Sequence, residues 1–332
     1  MPLVADSSLP AFDSMRDEGV PVTTPDAPSG LAEISVGLVN LMPDAALRAT
    51  DRQFIRLVSA GADEFDIRVV PFTVAAEQRG EEARRHIASH YTTFESVESR
   101  GLDALIVTGA NPAQDNLERE AFWSGLGKVL DWATDSTYSI LCSCLATHAV
   151  LQKYQGIKRT LLPEKRWGVY SHYILKDHRL LDGLSGPIDA PHSHWYDVTR
   201  EEMESAGLTV VLESDEAGVH MAVDQDDFHV FFQGHPEYDL VSLLKEYRRE
   251  LGRYWRGERD DYPPVPEHYF GARAMEQLEA YRPVLEAAKR EKRQPPRLVE
   301  ADLLPKNRHS WNEEGKVIYR NWLRGIAERK SA

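Results

Sequence analysis

The sequence predicts an α/β fold: a doubly wound, mostly parallel sheet with helices on both faces and an irregular N-terminal arm. Three observations predict it. Four short runs, ISVGLVNLM (34–42), FDIRVVPF (65–72), ALIVTGA (104–110) and YSILCSC (138–144), are apolar without strict alternation, as strands covered on both faces are. Helical spacing fills two of the intervals, at Phe54, Leu57 and Val58 and again at Phe122, Leu126, Val129, Leu130 and Ala133. Twice, in SILCSCLATHAV and in HVFFQGHPEYD, an apolar run gives way at once to a helix-like pattern. Strands alternating with helices wind a parallel sheet whose functional residues gather beyond the carboxyl ends of the strands.

In chain order, residues 1–32 are rich in Pro, Ser, Asp and Gly with little periodicity, which predicts an irregular arm on the main body. A single domain then spans 33–332. The stretch 156–227 is dense in His, Pro and Gly and reads as mixed strand and loop. HVFFQ is the last buried strand, and the helix after it is marked by Leu240, Leu243, Leu244, Tyr247 and Leu251. The remainder, 257–332, forms an extension that packs back: KREKRQPPR reads as a solvated loop and SWNEEGKVIYRNWL as a terminal helix or strand. No internal repeat is visible.

The chain has 332 residues and a formal net charge of -14, and its isoelectric point lies near 5.4. Affinity for nucleic acid comes mostly from lysine and arginine neutralising phosphates, so a nucleic-acid or anionic-membrane partner is not expected. No run approaches the roughly 18 apolar residues of a membrane span, and the N-terminus lacks the basic-then-apolar order of a secretion signal. Cys142 and Cys144 are the only cysteines, too close in sequence to bridge one another. A cytoplasmic protein with a free thiol is expected.

Cys144 ends an apolar run where a helix begins. At such an elbow the tip residue is strained, and its neighbours two positions away on each side must be small. For Cys144 they are Cys142 and Ala146; for Cys142 they are Ile140 and Cys144, one of them bulky and β-branched. Sterics therefore favour Cys144 as nucleophile, although free cysteines are often merely buried. The helix aims its first N–H groups at the sulfur and stabilises a thiolate, and the Leu145 N–H is placed to bind an oxyanion. A second donor is expected from Ala110 or Asn111, on the loop after IVTG. His235 and Glu237 sit at the turn after the last strand, so a nucleophile, a base and a carboxylate to orient it meet at one sheet edge. Phe231 and Phe232 anchor that strand, Gly234 permits the sharp exit, and Pro236 stiffens the turn.

GLVNLMP, LIVTGA, Cys144 in its setting, EKRWGVYSH, APHSHWYDV, GHPEYD, HYF and SWNEEGKVIYRNWL, in order across the chain, resemble the homoserine O-succinyltransferase family. The resemblance implies a flavodoxin-like, class I glutamine amidotransferase-like fold and a homodimer. It also implies acylation of the L-homoserine hydroxyl from an acyl-CoA in methionine biosynthesis, with acyl-CoA as co-substrate and no cofactor. By position, Cys144 matches the acyl-thioester nucleophile, His235 the proton acceptor and Glu237 the third member of the triad. Lys165, Ser193 and Arg249 match substrate-binding positions. Ala113 matches the position that chooses the acyl group, where glutamate selects acetyl and glycine admits succinyl; uncharged alanine points to succinyl.

Two segments depart from the family pattern. NLMPDAALRATDRQF is acidic where lysines are usual, which alters one wall of the site, and His194-Trp195 replaces Arg-Tyr beside Ser193. His192 and His194 form a pair with no third metal ligand at a recognisable spacing, so no metal is expected. The rival readings are a glutamine amidotransferase-like amide hydrolase, a catalytically silent relative, and a transferase that takes L-serine as acceptor for cysteine biosynthesis.

Overall fold

The computed structural model describes residues 2–27, 30–305 and 310–332; residues 1, 28 and 29 of the arm and 306–309 of the extension lie outside the described residues. Among the described residues, eleven strands form one sheet. They are β1 (Leu3–Val4), β2 (Val22–Thr23), β3 (Glu33–Val39), β4 (Asp66–Phe72), β5 (Ala104–Val107), β6 (Ser139–Ser143), β7 (Thr160–Ile174), β8 (Ile188–Asp197), β9 (Thr209–Ser214), β10 (Gly218–Val223) and β11 (His229–Phe232). Their order is β2-β1-β4-β3-β5-β6-β11-β10-β9-β7-β8. Every pair from β2 to β11 is parallel, and every pair from β11 to β8 is antiparallel.

The predicted strands are covered on both faces because alternate side chains enter opposite cores. In β5, Ala104 and Ile106 face one core while Leu105 and Val107 face the other. In β11, Val230 and Phe232 face the first and Phe231 the second. The first core is covered by α1 (Pro10–Asp17), α2 (Leu47–Val58) and α10 (Ser310–Ser331); the second by α4 (Phe94–Arg100), α5 (Trp123–Ser136) and α6 (Leu145–Val150). Three further helices are α3 (Glu81–His90), α7 (Arg200–Ser205) and α8 (Ser242–Arg256), and α9 (Ala272–Arg290) packs with α8 on a third, aromatic-rich cluster. The terminal segment is a helix, α10, whose Ile318, Tyr319, Trp322, Leu323 and Ile326 lie in the first core. Of KREKRQPPR, Lys289 and Arg290 close α9 and the rest is loop.

The arm is not irregular. Its β1 and β2 extend the parallel edge beyond β4, and Leu3, Leu9, Phe12 and Met15 are buried in the first core. These few apolar residues dock on a surface the rest of the fold already presents, so no long periodic run is needed to hold them.

The chain reverses direction across the sheet between β3 and β5. That switch point, with the strand ends beside it, is where an open α/β sheet forms its ligand crevice. The loops after β3, β5, β6 and β11 all open there. They carry Met42, Ala110, Cys144 and His235.

Candidate active site

Cys144 occupies the turn between β6 and α6 with φ +52° and ψ −106°. A non-glycine residue holds such a conformation only where its surroundings impose it. Here the Cys144 N–H donates to Phe232 O at 2.7 Å. The Thr147 hydroxyl closes the elbow from below, within 2.9 Å of Phe232 O and 3.1 Å of Cys142 O. Cys142 and Ala146 are wholly buried, as the elbow requires. Cys142 packs into the second core, where burial pushes its thiol well above the ordinary range, so it stays protonated and inert. Cys144 is partly exposed.

The loop leaving β5 runs beside Cys144: a methyl placed on Gly109 would lie 3.6 Å from the Cys144 Cβ and 3.6 Å from the Met42 Sδ. Ala110, next along, is half-buried, while Asn111 and Ala113 are exposed. Leu145 opens α6 directly after Cys144. The acidic segment after NLMP has a definite structure. Asp44 accepts from the Gly80 N–H at 2.8 Å and from Arg79 at 3.2 Å, and Arg79 in turn donates to the carbonyls of Met42 and Asn40.

Across the sheet edge, His235 Nδ1 lies 2.8 Å from Glu237 Oε1 and both residues are buried. A carboxylate only accepts, so Nδ1 carries a hydrogen and Nε2 is the atom left for chemistry. That Nε2 makes no hydrogen bond within the described residues. Burial works to lower the His235 pKa, but the charges of Glu237 and Cys144 outweigh it and raise the group to about 10. The His235 N–H donates to Pro191 O at 2.7 Å, and the Tyr238 ring stacks on the imidazole at 4.3 Å. Trp311, at the start of α10, donates to Tyr238 O at 2.8 Å and fixes the turn from outside.

Gly234 serves this turn differently from what its sequence position suggests. Its φ lies outside the left-handed region, so backbone freedom is not the reason for glycine. A Cβ there would sit 2.7 Å from both His192 Nε2 and His220 Nδ1, two buried rings with no room to retreat. Gly234→Ala is therefore expected to destabilise the fold by roughly 1–3 kcal/mol through overpacking, and to lower turnover by moving His235. Thermal unfolding and kcat measured on one preparation check both effects.

Lys165 and Ser193 are brought together, and the residue that joins them is one the sequence did not mark. Glu246, on α8, accepts from Lys165 Nζ at 3.2 Å, Ser193 Oγ at 2.6 Å, Trp167 Nε1 at 2.9 Å and, at its other oxygen, Tyr238 O–H at 2.8 Å. Burial pushes the Glu246 carboxyl up, but the Lys165 charge and the two hydroxyls hold it below its usual value. Burial lowers the Lys165 pKa, opposed by Glu246. Through Tyr238 the hub reaches the ring of His235. The legible signal is one acid set among the apolar positions Leu243, Leu244, Tyr247 and Leu251 of α8. Arg249 stands apart from this hub: its side chain is 55% exposed and pairs with Glu250, although its charge is felt at Lys165.

Arg159, just before β7, is a second residue the sequence did not mark. It stacks on the Tyr196 ring at 3.7 Å and donates to Gln114 O and Asp115 O. Its Nε is buried without a partner, and it makes no ion pair among the described residues. Burial lowers its pKa, and the charges of Tyr196 and Cys144 oppose this, so the guanidinium lies within electrostatic reach of Cys144.

A cysteine on a strained elbow, facing a carboxylate-bound imidazole across the edge of a doubly wound sheet, has the arrangement of an enzyme that works through a covalent cysteine adduct. The chain belongs to the homoserine O-succinyltransferase family, whose model matches residues 2–331. Among its relatives are the homoserine O-succinyltransferases of Methylococcus capsulatus, 48% identical over 97% of this chain and 92% of the relative, and of Thiothrix nivea, 48% identical over 97% and 91%. Among solved structures, a glutamine amidotransferase from Methylobacillus flagellatus is 15% identical, with a TM-score of 0.49 over 89% of this chain and 96% of its own.

Proposed function

We propose that the protein is a homoserine O-succinyltransferase: it moves a succinyl group from succinyl-CoA to the hydroxyl of L-homoserine, through a thioester on Cys144, in methionine biosynthesis. The observation that carries the reading is the Cys144 elbow set against the His235–Glu237 pair in a chain of this family. In the first half-reaction the Cys144 sulfur attacks the thioester carbonyl and the bond to the CoA sulfur breaks. The proton on His235, whose pKa the Glu237 and Cys144 charges raise against burial, passes to the departing CoA thiolate. In the second, the homoserine oxygen attacks the acyl-enzyme, its proton passes to the now neutral His235, and the Cys144 thiolate is released. Glu237 holds the imidazole in register and stabilises its charged form. The backbone N–H of Leu145, with Ala110 or Asn111, serves the tetrahedral oxyanion, each such donor being worth roughly a hundredfold to a thousandfold in rate.

Lys165, Ser193 and Arg249 are the residues for substrate carboxylates and hydroxyls in this reading, and Ala113 leaves room for the longer acyl chain. Arg159 supports the same choice of donor. A half-buried guanidinium with an orphaned N–H and no carboxylate partner among the described residues suits the free carboxylate of a succinyl group on Cys144. The reading also includes a cytoplasmic homodimer that uses acyl-CoA as co-substrate without a further cofactor in the chemistry.

The test is a rate matrix with CoA release as readout: succinyl-CoA and acetyl-CoA against homoserine and serine, for wild type and Arg159→Gln. Succinyl-CoA with homoserine should dominate in wild type. Arg159→Gln should lower kcat/KM for succinyl-CoA at least tenfold and change acetyl-CoA little, as the loss of a charged hydrogen bond to one donor alone predicts. Preference for acetyl-CoA, for serine, or for glutamine hydrolysis in an ammonia assay would overturn the reading.

A further inference from the structure

Behind the catalytic turn stand four buried histidines: His172 on β7, His192 and His194 on β8, and His220 on β10. Three of them form a chain that ends in a carbonyl on each side. Tyr196 O lies 2.8 Å from His194 Nδ1; His194 Nε2 lies 3.0 Å from His192 Nδ1; His192 Nε2 lies 3.1 Å from His172 Nε2; and His172 Nδ1 lies 3.2 Å from Ile188 O. Each of these four contacts needs one hydrogen, and three neutral imidazoles supply only three.

The position of the shortfall follows from the ends. A carbonyl only accepts, so His194 and His172 must each carry their hydrogen on Nδ1. His194 Nε2 is then a lone pair, and His192 must use its own hydrogen on Nδ1 to reach it. Two bare Nε2 lone pairs, of His192 and His172, are left facing each other at 3.1 Å. Such a pair repels unless a cation lies between or beside the two atoms.

A third nitrogen converges on the same place. One nitrogen from each of His172, His192 and His220 lies within 4.8 Å of the others. The Gly234 N–H points at His220 Nδ1 from 3.3 Å, which marks that atom as another lone pair, held by a bond long enough to yield to an ion. The missing Cβ of Gly234 leaves a notch 2.7 Å from both His192 Nε2 and His220 Nδ1. Two imidazoles on a tetrahedral zinc ion, with Zn–N bonds of about 2.0–2.1 Å, place their nitrogens about 3.4 Å apart, close to the observed His172–His192 separation. Ile188 O and His194 fix the outer nitrogens of His172 and His192, the support that metal-bound imidazoles ordinarily have.

We propose that His172 Nε2, His192 Nε2 and His220 Nδ1 form a binding site for one divalent transition-metal ion of the zinc type in the notch at Gly234. Three neutral nitrogen donors, with no carboxylate joining them among the described residues, suit such an ion and not magnesium or calcium. The ion ties β7, β8 and β10 to the turn that bears His235, whose N–H is bonded to Pro191 O next to His192. It acts on the position of the base and takes no part in the bonds that form and break.

The test uses the full chain without a histidine tag, stripped with a chelator and titrated with Co²⁺, in wild type and in Cys144→Ala so that the reactive thiol contributes no signal. One equivalent should bind with the visible d–d absorption of a low-coordinate nitrogen site, raise Tm, and be displaced by Zn²⁺. His172→Gln and His220→Phe should lose the absorption, while His178→Gln, a histidine on another surface, should keep it. A folded wild-type protein that takes up no stoichiometric Co²⁺ or Zn²⁺ overturns the proposal, as does binding that survives both His172→Gln and His220→Phe. A single imidazolium shared by His172 and His192, seen by NMR in metal-free protein that also binds no metal, overturns it in favour of a trapped proton.

Discussion

Cys144→Ala is expected to lower kcat on the order of 10⁴-fold or more, because a covalent nucleophile has no substitute within the site. Stability should change little, since alanine meets the same backbone strain at φ +52° that cysteine does. Cys144→Gly separates the two properties. Glycine occupies that conformation at almost no cost, so this variant should gain about 1 kcal/mol of stability while remaining as inactive as the alanine variant. Cys142→Ala should do the reverse: it opens a small void in the second core at a cost of roughly 1 kcal/mol and leaves turnover largely intact. Steady-state CoA release and thermal unfolding on these three variants form one experiment. Retained turnover in Cys144→Ala together with loss in Cys142→Ala would reverse the assignment of the nucleophile.

Glu237→Gln should lower kcat by roughly 10²–10⁴-fold and move the alkaline limb of kcat/KM for the acyl donor to lower pH. The direction follows from the environment of His235. Burial favours the neutral ring, while the Glu237 and Cys144 charges favour the cation and raise its pKa to about 10. Glutamine keeps a hydrogen-bond acceptor for Nδ1 and removes one of those charges, so His235 must lose its proton at a lower pH. The same linkage governs stability. A group raised on folding contributes stability that is fully present below its unfolded pKa, near 6.5, and is lost as pH rises through about 10. Wild-type Tm should therefore decline across that window more steeply than that of Glu237→Gln. A limb that stays in place in the variant would mean that another group sets it.

The strands that build the site were legible because they are buried on both faces and so carry unbroken apolar runs, as in 104–107 and 229–232. The elbow was legible because the sterics around Cys144 are local in sequence. The arm was not, since β1 and β2 are two residues each and show no period. Nor was the antiparallel wing: the first half of β7, 160–166, is largely exposed and interrupted by Pro163, which hides the strand pattern. Glu246 and Arg159 gave no motif because their partners lie on other elements, and the histidine cluster draws on three strands with no fixed spacing between its members. Gly234 was legible as a required glycine for the wrong reason. Only the positions of His192 and His220 show that space, and not backbone freedom, demands it.

The account stands on a covalent acyl group carried by Cys144, and intact-protein mass spectrometry tests it most directly. Wild-type protein mixed with succinyl-CoA and no acceptor should gain the mass of one succinyl group, and peptide mapping should place it on Cys144. Homoserine should then discharge it. An adduct absent from wild type under turnover conditions, or one that maps to another residue and still turns over, would contradict the mechanism.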